Sequence, residues 1–285
     1  MVNSAFDFQQ QPDIKLVFRQ ANAVATFRQE CVKTAQYIRS QTDGPIVVAL
    51  SGGIDSEVVC RGFLEAGIDF SVLTMRYSYN INQHDIKLAE RFCKEFSVKQ
   101  DFVNVDLQKF YDVNVKRYIG QGYQALKIFR YLQLFLMETI SNMGATAVLG
   151  GGEQVYYNNN GTVQLNYNSD FLNALNWTNQ HGLHFPYFFQ TTPEVVASYL
   201  QHELIQLLIK EPDYFSGTLV GNSPEKILVY HSQWPDMVRR PKYTGFESWS
   251  KMHKATDDDF RAKFPDIVPF ALPVNDIQQQ LGIYV

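Results

Sequence analysis

Residues 46–59 read IVVALSGGIDSEVV, and no other stretch restricts the fold as tightly. Ile46 to Leu50 is a short, continuous apolar run rich in β-branched residues, the pattern of a strand buried on both faces. It leads into Ser51, Gly52 and Gly53, where paired glycines permit a sharp turn and leave no Cβ in the way of a ligand. A helix is predicted from about Ile54 to Ala66, closed by Gly67. A strand that feeds a helix through a glycine loop presents backbone N–H groups and the positive end of the helix dipole to an anion. Ser51 and Ser56 add hydroxyl donors. Asp55 would repel a phosphate, so its presence predicts a divalent cation between the two.

The same alternation continues. Strands are predicted at Phe70–Met75, Phe102–Val105 and Thr146–Leu149, with helices at His84–Phe96 and, long and largely buried, at Gly122–Met143. Strands alternating with helices specify an α/β fold, here a Rossmann-like parallel sheet of about five strands with helices on both faces and a C-terminal cap. Ligands of such sheets bind outside the carboxyl ends of the strands, where strand order reverses. Residues 1–20 are polar and glutamine-rich and read as a loosely packed arm. A helix follows at Asn22–Gln41, ended by Thr42, Asp43, Gly44 and Pro45. After Gly152 a hairpin is predicted within Val155–Tyr167, then a helix from Pro193 to about Ile209 with Thr192 as its N-cap. Pro224–Tyr230 is a further helix, and the proline-bearing last fifty residues read as irregular. The chain thus divides into an arm and helix (1–44), a nucleotide-binding core (45–152) and a cap or substrate region (153–285).

Composition removes several alternatives. The formal net charge of −4 provides no global basic field for gripping nucleic acid. The least polar long stretch, Gly122–Met143, carries Lys127, Arg130 and Glu138, so no membrane span is expected. Met1–Asp13 lacks a basic start followed by an apolar run, which points to the cytoplasm. Cys31, Cys60 and Cys93 contain no paired motif and read as buried core thiols.

The string Ser51-Gly52-Gly53-Ile54-Asp55-Ser56 is neither a lysine-bearing P-loop nor a dinucleotide fingerprint. It resembles the PP-loop, Ser-Gly-Gly-x-Asp-Ser, of the N-type ATP pyrophosphatase superfamily, and the resemblance extends over roughly Ile46 to Glu153. It implies cleavage of ATP between the α- and β-phosphates with transfer of AMP to a substrate. ATP and Mg²⁺ would then be required. Ser51, Gly52, Gly53 and Ser56 would hold pyrophosphate, with Asp55 on the metal. Ala49, Leu50, Thr74 and Met75 would lie near the adenine, through backbone contacts. The exit of the fourth strand, Gly150-Gly151-Gly152-Glu153, looks like a reduced form of the glycine- and acid-rich element of asparagine-synthetase-like members. Gly150 and Gly151 there would approach the nucleotide, and Glu153 could hold metal. Arg240 and Lys242, in the cation-rich stretch Arg239–Glu247, are candidates for neutralising the leaving pyrophosphate. Lys127 and Lys226 are weaker candidates for the same task, and His181 and His184 for acid–base work. Asn80, Asn82, His84 and Asp85 follow the second strand at the same edge and read mainly as surface or early-helix residues.

Departures from named branches narrow the choice. No cysteine lies beyond Cys93, which sets the chain apart from sulfonucleotide reductases; paired thiols of thiouridine-forming members and the zinc-binding cysteines of 7-cyano-7-deazaguanine synthases are also missing. Glutamine-dependent members need a catalytic cysteine in an amidotransferase domain, so ammonia would come free or from a separate subunit. The resulting expectation is an AMP-forming synthetase that activates a carboxylate or carbonyl oxygen of a small molecule for attack by an amine or ammonia, possible also as a homodimer. One alternative is a modification enzyme acting on a tRNA or DNA base, with Tyr156, Tyr157, Trp177, Tyr187 and Phe188 stacking bases. A second is a protein that binds ATP without consuming it. Asp55→Ala is expected to abolish pyrophosphate release while leaving the fold cooperative.

Overall fold

The computed structural model describes residues 4–10, 14–125, 128–151, 155–157, 163–167, 169–211, 224–238, 258 and 270–283. The chain opens with two antiparallel strands, β1 (Phe6–Gln10) and β2 (Ile14–Phe18). The arm expected to pack loosely is therefore a hairpin. The apolar alternation Ile14, Leu16, Phe18 has the period of a half-buried strand, and Leu16 and Phe18 are buried. Its backbone is tied to distant parts of the chain, Ala5 N–H donating to the Gln190 carbonyl at 2.7 Å and Phe18 N–H to Gln280 Oε1 at 2.7 Å.

Helix α1 (Phe27–Ser40) starts later than the predicted Asn22. Thr26 and Gln29 form a reciprocal capping box, which satisfies two of the first-turn donors and fixes the start there. Then come β3 (Ile46–Ala49), α2 (Ile54–Glu65), β4 (Ser71–Tyr77), a 3₁₀ turn at Ser78–Asn80, α3 (Gln83–Phe96) and β5 (Lys99–Val105). A helical stretch that had not been expected follows: α4 (Leu107–Lys109), a π-helical segment (Phe110–Val115) and α5 (Lys116–Gly120). Its signal was present, since Leu107, Phe110, Val115 and Tyr118 recur at helical spacing and are all buried. The long helix expected over Gly122–Met143 is shorter. It is a 3₁₀ turn at Ile128–Arg130 and then α6 (Tyr131–Asn142), which feeds β6 (Thr146–Leu149).

Strands β3, β4, β5 and β6 form a parallel sheet in the order β5-β4-β3-β6, with Ala49 level with Leu73 on one side and Leu149 on the other. The architecture is thus the expected Rossmann-like α/β fold. Of about five anticipated strands, four are formed among the described residues. A fifth position beyond β6 is reduced to one parallel bridge, Leu149 to Tyr187. All four residues of β3 are buried, as a strand covered on both faces requires.

Strands β7 (Val155–Tyr157) and β8 (Val163–Tyr167) make the expected hairpin. β9 (Phe270–Pro273) joins them as an antiparallel third strand, so the last fifty residues are not wholly irregular. Helices α7 (Ser169–His181), α8 (Pro193–Gln201), α9 (Glu203–Lys210), α10 (Pro224–Gln233) and α11 (Val274–Leu281) complete the described residues. Thr192 caps α8 as anticipated, its hydroxyl accepting from Val195 N–H. The single helix expected to Ile209 is broken at His202, whose extended ψ of 133° and ring nitrogen, accepting from Leu204 N–H, begin a second helix. The three cysteines are free and buried, and burial pushes each thiol pKa up, that of Cys93 to about 11. No helix among the described residues is long and apolar enough to cross a membrane.

His184 lines a small cavity with Ser141, Thr146, Trp177 and Thr178 at the amino end of β6. Both its ring nitrogens are buried without a hydrogen-bond partner among the described residues, and burial lowers its pKa to about 4. Because the folded value lies below the usual 6.5, the unfolded chain takes up the proton first as pH falls. The stability this neutral ring contributes is therefore present above pH 6.5 and lost toward pH 4, a contribution of at most about 3 kcal/mol. Urea unfolding at pH 7 and pH 5 will show that difference shrink in His184→Leu. An unchanged difference would mean that the ring is solvated.

Candidate functional site

The chain runs from β3 outward through β4 and β5 and returns to β6 on the far side of β3, so strand order reverses between β3 and β6. The crevice at a reversal, above the carboxyl ends, is where an open α/β sheet accepts ligands. Ser51–Gly53 lies at that point. The loop is organised from within: Ser51 N–H donates to Ser56 Oγ at 3.2 Å, the two hydroxyls lie 3.1 Å apart, Gly53 N–H donates to Ser51 Oγ, and Ser56 Oγ–H to the Gly53 carbonyl. Gly53 occupies the N-cap of α2 with no side-chain cap. The first turn of the helix is thereby left to an external acceptor, and the dipole favours a negative one.

Two glycines are required by contact. Gly52 has φ +87°, a left-handed conformation, and a Cβ there would sit 2.7 Å from the Asp85 carbonyl carbon at the start of α3. Gly150 packs on the opposite side, where a Cβ would fall 2.6 Å from Ser56 Cα. The exit of β6 and the start of α3 thus clamp the loop from both flanks. The Tyr187 ring covers Gly151, and Tyr187 donates its hydroxyl to Gln133 Oε1.

Asp55, in the first turn of α2, does not stand alone. Its Oδ1 accepts from the Tyr230 hydroxyl at 2.9 Å and lies 3.5 Å from Lys226 Nζ. Lys226 and Tyr230, four residues apart on α10, are both 2% exposed. Burial, and next the Asp55 carboxylate, raise the Tyr230 pKa, so the phenol keeps the proton it donates. The chain just beyond α10 is joined to α2 as well: Trp234 Nε1–H donates to Glu65 at 2.6 Å, and Asp236 pairs with the buried Arg61 at 2.8 Å. Lys226 and Tyr230, four apart in the expected Pro224–Tyr230 helix, were readable as one helix face. That it faces the glycine loop was not.

Lys226, a secondary candidate for neutralising pyrophosphate, is thus paired with Asp55 through Oδ1, and a metal on the same carboxylate would share it with this ammonium. Among the described residues no group of three or more histidine, cysteine, aspartate or glutamate side chains is placed to hold a metal ion. Glu153, Arg240, Lys242 and Lys127 lie outside the described residues.

The backbone expected near the adenine is already engaged. Leu50 N–H donates to the Leu73 carbonyl, and the Leu50 carbonyl accepts from Thr74 Oγ at 2.9 Å. Thr74 is buried and also accepts from Gln100, while the Met75 carbonyl accepts from Asn82 Nδ2 at 2.8 Å. Ala49 is bound into the sheet on both sides. Asn82, a minor candidate, is structural, its Oδ1 accepting from Tyr77 N–H at 3.1 Å. His84 pairs with Asp85 at 3.4 Å, beside the Gly52 contact. His184 lies at the opposite end of β6, and His181 stacks on Trp177 of the same cavity, so neither serves this site. Trp177, Tyr187 and Phe188 are core residues, at most 6% exposed, which removes them as a base-stacking surface.

A buried β-strand, a glycine loop moulded by its own hydroxyls and an uncapped helix at the reversal of a parallel sheet form an arrangement suited to an anion and similar to a PP-loop. The family model described as "Queuosine biosynthesis protein QueC" matches residues 45–117, which contain this unit. The matched unit is similar to the PP-loop unit of the N-type ATP pyrophosphatase superfamily. Among solved structures, the chain is similar to an NMN synthetase from Francisella tularensis, with 12% identity, a TM-score of 0.37, and 82% of this chain and 94% of that chain covered. It is also similar to an NH₃-dependent NAD synthetase from Campylobacter jejuni, with 14% identity, a TM-score of 0.36, and coverage of 76% and 96%. No curated protein matches.

Proposed function

We propose that the protein is an AMP-forming synthetase that cleaves ATP between the α- and β-phosphates. The observation that carries this reading is the uncapped first turn of α2 behind Ser51–Gly53, at the crevice between β3 and β6. In this reading the β- and γ-phosphates lie against the N–H groups of the helix start, with Ser51 and Ser56 as hydroxyl donors. A carboxylate or carbonyl oxygen of a small-molecule substrate attacks the α-phosphorus and pyrophosphate leaves. An amine or ammonia, free or delivered by a separate subunit, then displaces AMP. Lys226, oriented by Asp55 and Tyr230, supplies fixed positive charge beside the phosphates; Asp55 is a positioning residue. Positioning and preorganised charge provide the acceleration. Magnesium would enter as the counterion of the nucleotide, and no described carboxylate is assigned to it. Arg240 and Lys242 are proposed to close on the leaving pyrophosphate and Glu153 to border the nucleotide. Residues 153–285 are proposed as the cap.

The test is purified protein with Mg²⁺ and α-labelled ATP, challenged with pooled small metabolites plus ammonia and, separately, with bulk tRNA. AMP and pyrophosphate with the metabolite pool are expected. ADP and phosphate would refute the reading of Ser51–Ser56. The match to a queuosine-biosynthesis family favours one second reading, the same ATP half-reaction on a nucleoside or tRNA base. AMP release with tRNA alone would establish it, and ATP binding without turnover would leave a nucleotide-binding protein.

A further inference from the structure

We infer that Tyr79 is the platform on which the purine of ATP stacks. The assignment rests on the reading of Ser51–Ser56 as the ATP phosphate site. Strand β3 ends at Ala49, level with Leu73, but β4 and β5 remain paired through Thr74, Met75, Arg76 and Tyr77 to the register Tyr77–Val105. Those four residues carry the wall about 13 Å beyond the level of Ala49, at about 3.3 Å per residue. The turn at its crest, Ser78–Asn80, descends to Asp85, whose backbone touches Gly52. One short segment therefore links the phosphate loop to the top of the wall, a separation suited to the two ends of a nucleotide.

At the crest the backbone is strained. Tyr79 has φ 62° and ψ 14°, and Asn80 has φ 52°. Asparagine tolerates the left-handed region, but a bulky aromatic residue rarely occupies it. The turn is held there on every side: Asn82 bridges Tyr77 N–H and the Met75 carbonyl, and Leu107 N–H donates to Ser78 Oγ at 3.1 Å. Yet the Tyr79 ring is 78% exposed, the highest value among the large apolar side chains described. A residue that burdens its backbone and buries almost nothing does not serve folding; glycine would suit the turn better. Strain sustained by its surroundings beside a ligand crevice is the signature of a presenting residue. An aromatic face accepts any base by stacking. The need for such a face is specific here, because the Leu50 carbonyl, the Thr74 hydroxyl and the Met75 carbonyl are already engaged.

The test measures dissociation constants of the full chain for ATP and for inorganic tripolyphosphate, which has the phosphates and no base. Tyr79→Ala is expected to weaken ATP about tenfold and leave tripolyphosphate unchanged, while Tyr79→Phe stays within about twofold for both. Tyr79→Gly should melt at a higher temperature than the native chain and still lose ATP affinity, which separates stacking from folding. Undiminished ATP binding by Tyr79→Ala would overturn the assignment, as would an equal loss for tripolyphosphate. If the native chain binds neither ligand, the phosphate-site reading fails and takes the stacking with it. Binding of both by the native chain and Tyr79→Ala alike removes Tyr79 alone.

Discussion

Asp55→Ala will lower the urea-unfolding free energy by about 3 kcal/mol and abolish AMP formation, through a single cooperative transition. Lys226 is 2% exposed, and its ion-pair partner among the described residues is the Asp55 carboxylate 3.5 Å away. Removing one member of a buried pair leaves the other charged and desolvated, which costs about 3–5 kcal/mol; partial exposure of Asp55, 22% of its side chain, places the effect at the low end. The Tyr230 hydroxyl loses its acceptor in the same step. Asp55→Asn combined with Lys226→Met removes both charges and should recover most of the stability without restoring turnover. An Asp55→Ala protein as stable as the native one would show that Lys226 is not confined. The sequence alone had implied a catalytic loss with the fold left cooperative; the cost to stability comes from the buried lysine, which nothing local reveals.

Gly52→Ala is expected to cost about 2–4 kcal/mol and to eliminate ATP binding. A Cβ at φ +87° is itself disfavoured by about 1–2 kcal/mol, and this one would also collide with the Asp85 backbone, a contact between two main chains that no rotamer change relieves. The loop and the start of α3 must then separate, which moves the N–H groups that line the anion site. Gly53→Ala is the control: φ is −76°, and the added Cβ meets only Ser51 Oγ at 3.2 Å, so its effect on stability should stay below about 1 kcal/mol. Equal midpoints in urea for the two variants would contradict the packing described.

Much of this chain was legible because its signals are local. Ile46–Leu50 is continuous and β-branched, so it reads as an interior strand, and Gly52-Gly53 followed by Ile54 reads as a turn into a helix. Thr192-Pro193 marked the start of α8 for the same reason. Other local signals were present and missed, among them the alternation in β2 and the helical spacing of Leu107, Phe110, Val115 and Tyr118. Helix boundaries misled where capping decided them, at Thr26 in place of Asn22 and at His202 within the expected Pro193–Ile209 helix. Aromatic residues misled most: Trp177, Tyr187 and Phe188 looked available for bases and are interior, whereas Tyr79 is displayed. An aromatic side chain carries no local mark of which side of the molecule it will face.

By itself the sequence determined the parallel α/β sheet, the interior strand that feeds the glycine loop and the helix that leaves it, because strand period, glycine turn and helix start are properties of neighbouring residues. The tertiary structure decided what surrounds that loop. It set Lys226 and Tyr230 on Asp55, closed Gly52 and Gly150 against other backbones, and raised Tyr79 on the crest of β4. The contacts of Asp55, Gly52 and Gly150 join elements separated along the chain, from about thirty residues between Gly52 and Asp85 to 175 between Asp55 and Tyr230. Such contacts arise from the packing of whole helices and strands, and burial and charge pairing between them carry no signature in any short run of residues.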